Sequence, residues 1–210
     1  MPFTTLIFDL GGVLIDWNPE YVFQKVIPDP ERRKFFFDNI CTHDWNMEQD
    51  AGRRISEANQ TLIAQWPEWE NEILAFYGRW EEMLGGPLTD TVEVLRELHE
   101  QKKYRLLALT NWSNETFPVA LERYDFLHWF EGIVVSGQEK TRKPYPDIYN
   151  ILLKRYNVNA EEAIFIDDNG ENVRSSEKEG IASLIFFDAE SLRYDLSALG
   201  IDIKTEEEAY

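Results

Sequence analysis

The chain of 210 residues holds a single cysteine, Cys41, which excludes an internal disulfide and a cysteine cage for a metal. Histidine is nearly as scarce. His43, His99 and His128 are the only three, and no two stand at the spacing by which one helix presents two imidazoles to an ion. Basic residues are few, 21 Lys and Arg against 39 Asp and Glu, for a formal charge of −18. Phosphate backbones and anionic lipid headgroups repel such a polyanion, so neither nucleic acid nor membrane is an expected partner. No run of about 18 apolar residues occurs. The N-terminus passes at once into a strand-like segment at 3–8, without the basic region and apolar stretch of a secretory signal. A soluble, cytoplasmic protein with a small-molecule partner is expected, and oligomeric state is not legible.

Core material is abundant. Hydrophobic residues make up 43%, including 13 Phe, 9 Tyr and 7 Trp, which suffices for one large domain or one domain with an insertion. Five short apolar runs read as strands, at 5–8, 105–109, 132–135, 163–166 and 183–187. Each is nearly continuous rather than alternating, as strands of a parallel sheet covered on both faces should be. Helical patterns separate the later ones. Segment 89–102 puts Val92, Leu95 and Leu98 on one face, 146–156 opens on a proline, and 172–179 stops at Gly180. Strand and helix in alternation predict an α/β fold with a doubly wound, parallel, five-stranded sheet.

The first crossover is too long for one helix. Between the first two strands, Ile55, Ala58, Leu62 and Trp66 share one helical stripe, and Trp69, Ile73, Phe76, Trp80 and Leu84 share another, before Gly85-Gly86-Pro87 breaks the pattern. The expected organisation is an α/β core from 1–15 and 87–204, a helical cap from 16–86, and an acidic tail at 205–210.

Chemistry gathers at the strand ends. The first strand leads into Asp9-Leu10-Gly11-Gly12, the second into Thr110-Asn111, the third is followed by Arg142-Lys143-Pro144, and the fourth ends Asp167-Asp168-Asn169. A doubly wound sheet brings these ends to one crevice. A carboxylate there can attack phosphorus. A hard cation such as Mg²⁺ takes oxygen ligands and offsets the repulsion between carboxylate and phosphate. Gly11-Gly12 allows backbone N–H groups close to an anion, Thr110 and Asn111 can donate to phosphate oxygens, and Lys143 can stabilise developing charge. Adjacent carboxylates such as Asp167 and Asp168 are costly at the end of an apolar strand without a cation or hydrogen-bond donors.

On these four segments the chain resembles the haloacid-dehalogenase-like superfamily, and the likeness spans almost its whole length. The resemblance implies a Rossmann-like core under an inserted cap, with Asp9 as nucleophile and metal ligand and Gly11 giving the metal its carbonyl. It implies Asp168 as the principal acidic ligand, Asp167 as a second ligand or a partner behind the first, and Gly12, Thr110, Asn111 and Lys143 on the phosphate. Lys143 would also orient Asp9. One position departs from the family's phosphatases: their usual acid/base aspartate, two residues after the nucleophile, is here Gly11. A sugar-phosphate phosphatase branch resembling this chain shares the Asp-Leu-Gly pattern, and Asp16, water or a cap residue is a candidate substitute.

A Mg²⁺-dependent phosphatase for small phosphomonoesters, sugar phosphates foremost, is the function expected. A metal-independent 2-haloacid dehalogenase and a non-catalytic phospho-ligand binder are the alternatives. Trp17, Trp45, Trp66, Trp69 and Trp80 in the cap are candidates for stacking on a sugar, and Arg53 and Arg54 for meeting a second anionic group.

Overall fold

A computed structural model of the chain describes residues 2–204, so the acidic tail expected at 205–210 lies outside the described residues. The chain opens with β1 (Thr5–Phe8), then β2 (Ile15–Trp17). Five helices follow: α1 (Glu20–Val26), α2 (Pro30–Asn39), α3 (His43–Asp50), α4 (Ile55–Gln65) and α5 (Glu70–Gly78). The chain returns through β3 (Leu84–Pro87) and continues as α6 (Thr89–Gln101), β4 (Arg105–Thr110), α7 (Phe117–Arg123), β5 (Gly132–Val135) and α8 (Ser136–Glu139). It ends as α9 (Pro146–Arg155), β6 (Ala163–Asp167), α10 (Gly170–Lys178), β7 (Ala182–Ile185) and α11 (Ala189–Ala198).

The expected α/β fold is present: a parallel five-stranded sheet in the order β5-β4-β1-β6-β7. β1 is central, with Thr5 opposite Arg105 on one side and Ala163 on the other. Successive side chains of a strand point to opposite faces. Leu6 and Phe8 therefore join Leu106, Ala108, Ile164 and Ile166 in one core, while Ile7 joins Leu107, Leu109 and Phe165 in another beneath α9. Each such side chain, removed from water, contributes about 1.5–3 kcal/mol. Because β1 is buried on both faces, its only polar outlet is the end where Asp9 stands.

Three sequence expectations are corrected. The stripe from Trp69 to Leu84 is buried throughout, but it is not one helix: α5 ends at Gly78, a short 3₁₀ turn carries Trp80, and Leu84 begins β3. Gly85, Gly86 and Pro87 are strand residues, pairing antiparallel with β2 so that Asp16 lies opposite Gly86. The α1–α5 segment is thus joined to the sheet by a two-stranded ribbon. The last strand also ends earlier than expected, and Phe187, 75% exposed, lies beyond it.

Helix starts follow local chemistry. Asp29, Thr42, Asn169 and Asp188 accept hydrogen bonds from backbone N–H groups of α2, α3, α10 and α11, satisfying donors that have no partner within a helix. Asn169 matters most here, because its cap turns the chain sharply after Asp167-Asp168 and starts α10 directly behind them. No helix of the described residues is long and apolar enough to cross a membrane.

Candidate active site

Strand ends β1, β4 and β6 and the loop after α8 meet around one ammonium group. Lys143 is 1% exposed, and its Nζ lies 2.9 Å from Asp9 Oδ1, 2.6 Å from Asp167 Oδ2 and 2.9 Å from the Leu109 carbonyl. Three oxygens thus surround a group with three N–H donors. Burial disfavours the Lys143 ammonium, but Asp167 and Asp9 outweigh it and hold its pKa above the ordinary lysine value.

Asp9 is 8% exposed at the cavity floor. Its Oδ1 also accepts the Leu10 backbone N–H at 2.7 Å, which fixes the plane of the carboxylate and leaves Oδ2 free of hydrogen bonds among the described residues. Burial pushes the Asp9 carboxyl up to about 7, opposed by Lys143 and reinforced by Asp167 and Asp168. Asp168 is raised too, by burial and by the charge of Asp167. The group is therefore over-supplied with carboxylate for one lysine.

One oxygen from each of Asp9, Asp167 and Asp168 lies within 4.8 Å of the others. The donor set is all hard oxygen, which suits Mg²⁺, and a cation would oppose the burial and the repulsion that raise Asp9 and Asp168. Asp167 differs from its neighbours. It is 0% exposed and accepts from Lys143 Nζ, the Asn169 N–H and Asn172 Nδ2. With both oxygens engaged, Asp167 fits the role of a partner behind the ligands rather than a ligand. The bridge between Gly11 and Ile15 is made by the Leu10 carbonyl and the Gly12 N–H, leaving Gly11's own carbonyl outside it and open to a ligand.

Gly12 and Asn111 each make contacts that the sequence does not show. The Gly12 N–H donates to the Ile15 carbonyl at 3.0 Å, so it is not offered to an anion. What Gly12 supplies is space, at a φ of +75° and with Asp168 packed where a Cβ would stand. Asn111 borders the cavity, but its side chain accepts the Lys143 N–H at 2.8 Å and donates to the Lys143 carbonyl at 2.9 Å. It therefore orients the lysine segment, whose bond to Pro144 is cis. Thr110 is buried at the end of β4, and its hydroxyl makes no hydrogen bond among the described residues.

A cavity of about 720 Å³ opens above this floor, between the sheet and the inserted helices. Trp17 and Trp80 line it, together with Trp112, which sequence reasoning passed over. Trp45, Trp66 and Trp69 instead pack on Phe76, Phe35 and Phe36. Arg53 donates to Gln49 and the Trp45 carbonyl, and neither it nor Arg54 lines the cavity. Asp16 is likewise absent from the lining: its Oδ2 accepts the Tyr21 hydroxyl at 2.6 Å beside the ribbon. Residues missed by sequence reasoning include Asn172, signalled only by the helix start after Asn169, and Asp50, for which no local signal exists.

Known proteins resemble this chain in sequence and in fold. The family model described as haloacid dehalogenase-like hydrolase matches residues 3–178. Sesquiterpene phosphatase astK of Aspergillus oryzae is 28% identical over 187 residues, 89% of this chain and 91% of that protein. The phosphorylated carbohydrates phosphatase of Thermotoga maritima is 29% identical over 188 residues, 84% of this chain and 81% of that one. Among solved structures, a HAD family enzyme of Bacteroides thetaiotaomicron in a magnesium complex superposes with a TM-score of 0.73 at 22% identity, over 93% of this chain and 99% of that one.

Proposed function

Because this chain belongs to the haloacid dehalogenase-like hydrolase family, we propose that it is a Mg²⁺-dependent phosphatase that cleaves a small phosphomonoester through an aspartyl-phosphate on Asp9. The observation that carries the reading is the position of Lys143 between Asp9 and Asp167 at the floor of the cavity. Asp9, Asp168 and the Gly11 carbonyl would hold the ion. Bound there, Mg²⁺ would offset the charge of the incoming phosphate and favour the ionised form of Asp9.

The chain's own groups do the rest. Oδ1 of Asp9 is anchored by Leu10 N–H and Lys143, which presents Oδ2 to phosphorus in one orientation. Lys143 holds positive charge beside the equatorial oxygens as the bond to the leaving oxygen lengthens. Asp167 keeps that ammonium charged and in place, and Asn111 fixes the backbone that carries it. Burial of Asp9 and Lys143 at the floor would limit the water that reaches the acyl-phosphate.

A sugar phosphate is the favoured substrate class. Asp44, Asn46, Asp50 and Ser113 give the cavity wall hydrogen-bonding groups suited to hydroxyls, and Trp17, Trp80 and Trp112 offer flat faces. The test is phosphate release from a panel of sugar phosphates, with Mg²⁺ and with chelator, beside halide release from 2-chloropropionate. Chelator-sensitive phosphate release is expected. Chelator-insensitive halide release would sink the reading. Asp9→Asn should lower phosphate release by at least about 10³-fold while inorganic phosphate still binds.

A further inference from the structure

An alcohol leaving group needs a proton, and the family's usual donor is replaced by Gly11, beside which a Cβ would meet nothing within 4 Å. A replacement has to reach this space from elsewhere. Five carboxylates line the cavity: Asp9, Asp168, Asp44, Glu171 and Asp50. The first two belong to the nucleophile and metal positions. Asp44 and Glu171 are exposed. Asp50, at the C-terminal end of α3, is the remaining one and is only partly accessible.

Its placement is built rather than incidental. The Asp50 carbonyl accepts the Ser136 hydroxyl at 2.5 Å, and the same hydroxyl oxygen accepts the Trp112 N–H at 2.9 Å. This ties the end of α3 to the segment that carries Thr110 and Asn111. The Asp50 side chain accepts a long hydrogen bond from Asn46 Nδ2, at 3.3 Å, and has the Ser113 backbone N–H beside it. Its other charged and titratable neighbours are Arg142, from the loop before α9, and Tyr77, from α5. Burial pushes the Asp50 carboxyl up to about 7, against the opposing pull of Arg142 and the Ser113 N–H. A group so poised holds a proton and gives it up with comparable ease near neutrality, as a general acid and base must.

We propose that Asp50 is the acid and base that completes this active site, reaching the reacting oxygens from the inserted helix α3. In the first half-reaction Asp9 Oδ2 bonds to phosphorus, the bond from phosphorus to the leaving oxygen breaks, and the Asp50 proton passes to that oxygen. In the second, Asp50 takes a proton from water as the water oxygen bonds to phosphorus and the bond from phosphorus to Asp9 Oδ2 breaks; orthophosphate leaves, and both carboxyls return to their starting states. The inference rests on the phosphatase reading above.

The experiment compares wild type with Asp50→Asn on two substrates. One is the fastest sugar phosphate of the panel; the other is p-nitrophenyl phosphate, whose phenolate leaves without protonation. Asp50→Asn should slow the sugar phosphate by about 10²–10⁴-fold. On p-nitrophenyl phosphate it should give a rapid stoichiometric burst of nitrophenolate followed by slow turnover, because the first step survives and the base for the second is gone. Equal losses on both substrates without a burst, or no loss on either, overturn the proposal. Inorganic phosphate binding with Mg²⁺ checks that the variant is folded. Should it fail, Asp50→Glu decides: turnover of the sugar phosphate within about tenfold of wild type supports the role, and loss of that turnover overturns it. A wild-type protein inert on the whole panel and on p-nitrophenyl phosphate refutes the phosphatase reading itself, a result distinct from normal turnover by Asp50→Asn.

Discussion

Gly12 and Asp168, far apart in the chain, are pressed so close that a Cβ on Gly12 would fall inside contact with the Asp168 carboxylate, 2.9 Å from its Cγ. The same glycine has a φ of +75°, which strains any L side chain. Gly12→Ala should therefore displace Asp168 from the metal position. Strain of about 1–3 kcal/mol corresponds to a fall in Mg²⁺ affinity of roughly tenfold or more, read by calorimetric titration. Wild-type affinity would mean that Asp168 yields without consequence and is no ligand.

Lys143→Met removes the one cation between Asp9 and Asp167 and leaves two buried carboxylates facing each other. Breaking a buried ion pair from one side costs about 3–5 kcal/mol, so the urea midpoint of the metal-free protein should drop markedly. Phosphate release should fall by about 10²–10³-fold as well, since the charge beside the transferring group is lost. A variant as stable as wild type would show that Asp167 is held by Asn172 and the Asn169 N–H alone.

Stability should fall as pH rises through neutrality when metal is absent. Burial holds Asp9 and Asp50 protonated up to about 7, against a value of 3.8 for the free side chain. Between those values the folded chain binds protons that the unfolded chain releases, so each pH increment favours unfolding. Glu82, Glu131 and Asp188, whose carboxyls are held low by their partners, act in the opposite sense but below this window. With chelator, the thermal midpoint should decline from about pH 5 to about pH 7.5. Saturating Mg²⁺ should flatten the decline, because it favours ionised Asp9. A midpoint that rises over this range in chelator would contradict the burial of these carboxyls.

Much of the site was legible because strands announce their own ends. The apolar runs before Asp9, Asn111 and Asp168 have to be covered on both faces, and the polar residue after each run marks where the chain leaves the sheet. Lys143 was legible through its place in the order of segments. The limits were equally physical. Gly85 and Gly86 read as a helix break because a pairing partner such as Ile15–Trp17, remote in sequence, leaves no trace in local periodicity. Gly12 N–H looked available to an anion and the Asn111 side chain unengaged, since nothing local shows that Ile15 accepts from the one and that the Lys143 backbone bonds the other.

By itself the sequence determined the sheet and the order of its chemical segments, since these follow from local hydrophobic runs and from the residues that end them. Only the tertiary structure decided which carboxylates border the cavity above Asp9. Asp16 is close to Asp9 in sequence, yet the β2–β3 ribbon turns it toward Tyr21. Asp50 is remote, yet Ser136 draws the end of α3 down onto the cavity wall. Where an inserted helix docks depends on contacts distributed across the whole chain, and no window of the sequence contains them.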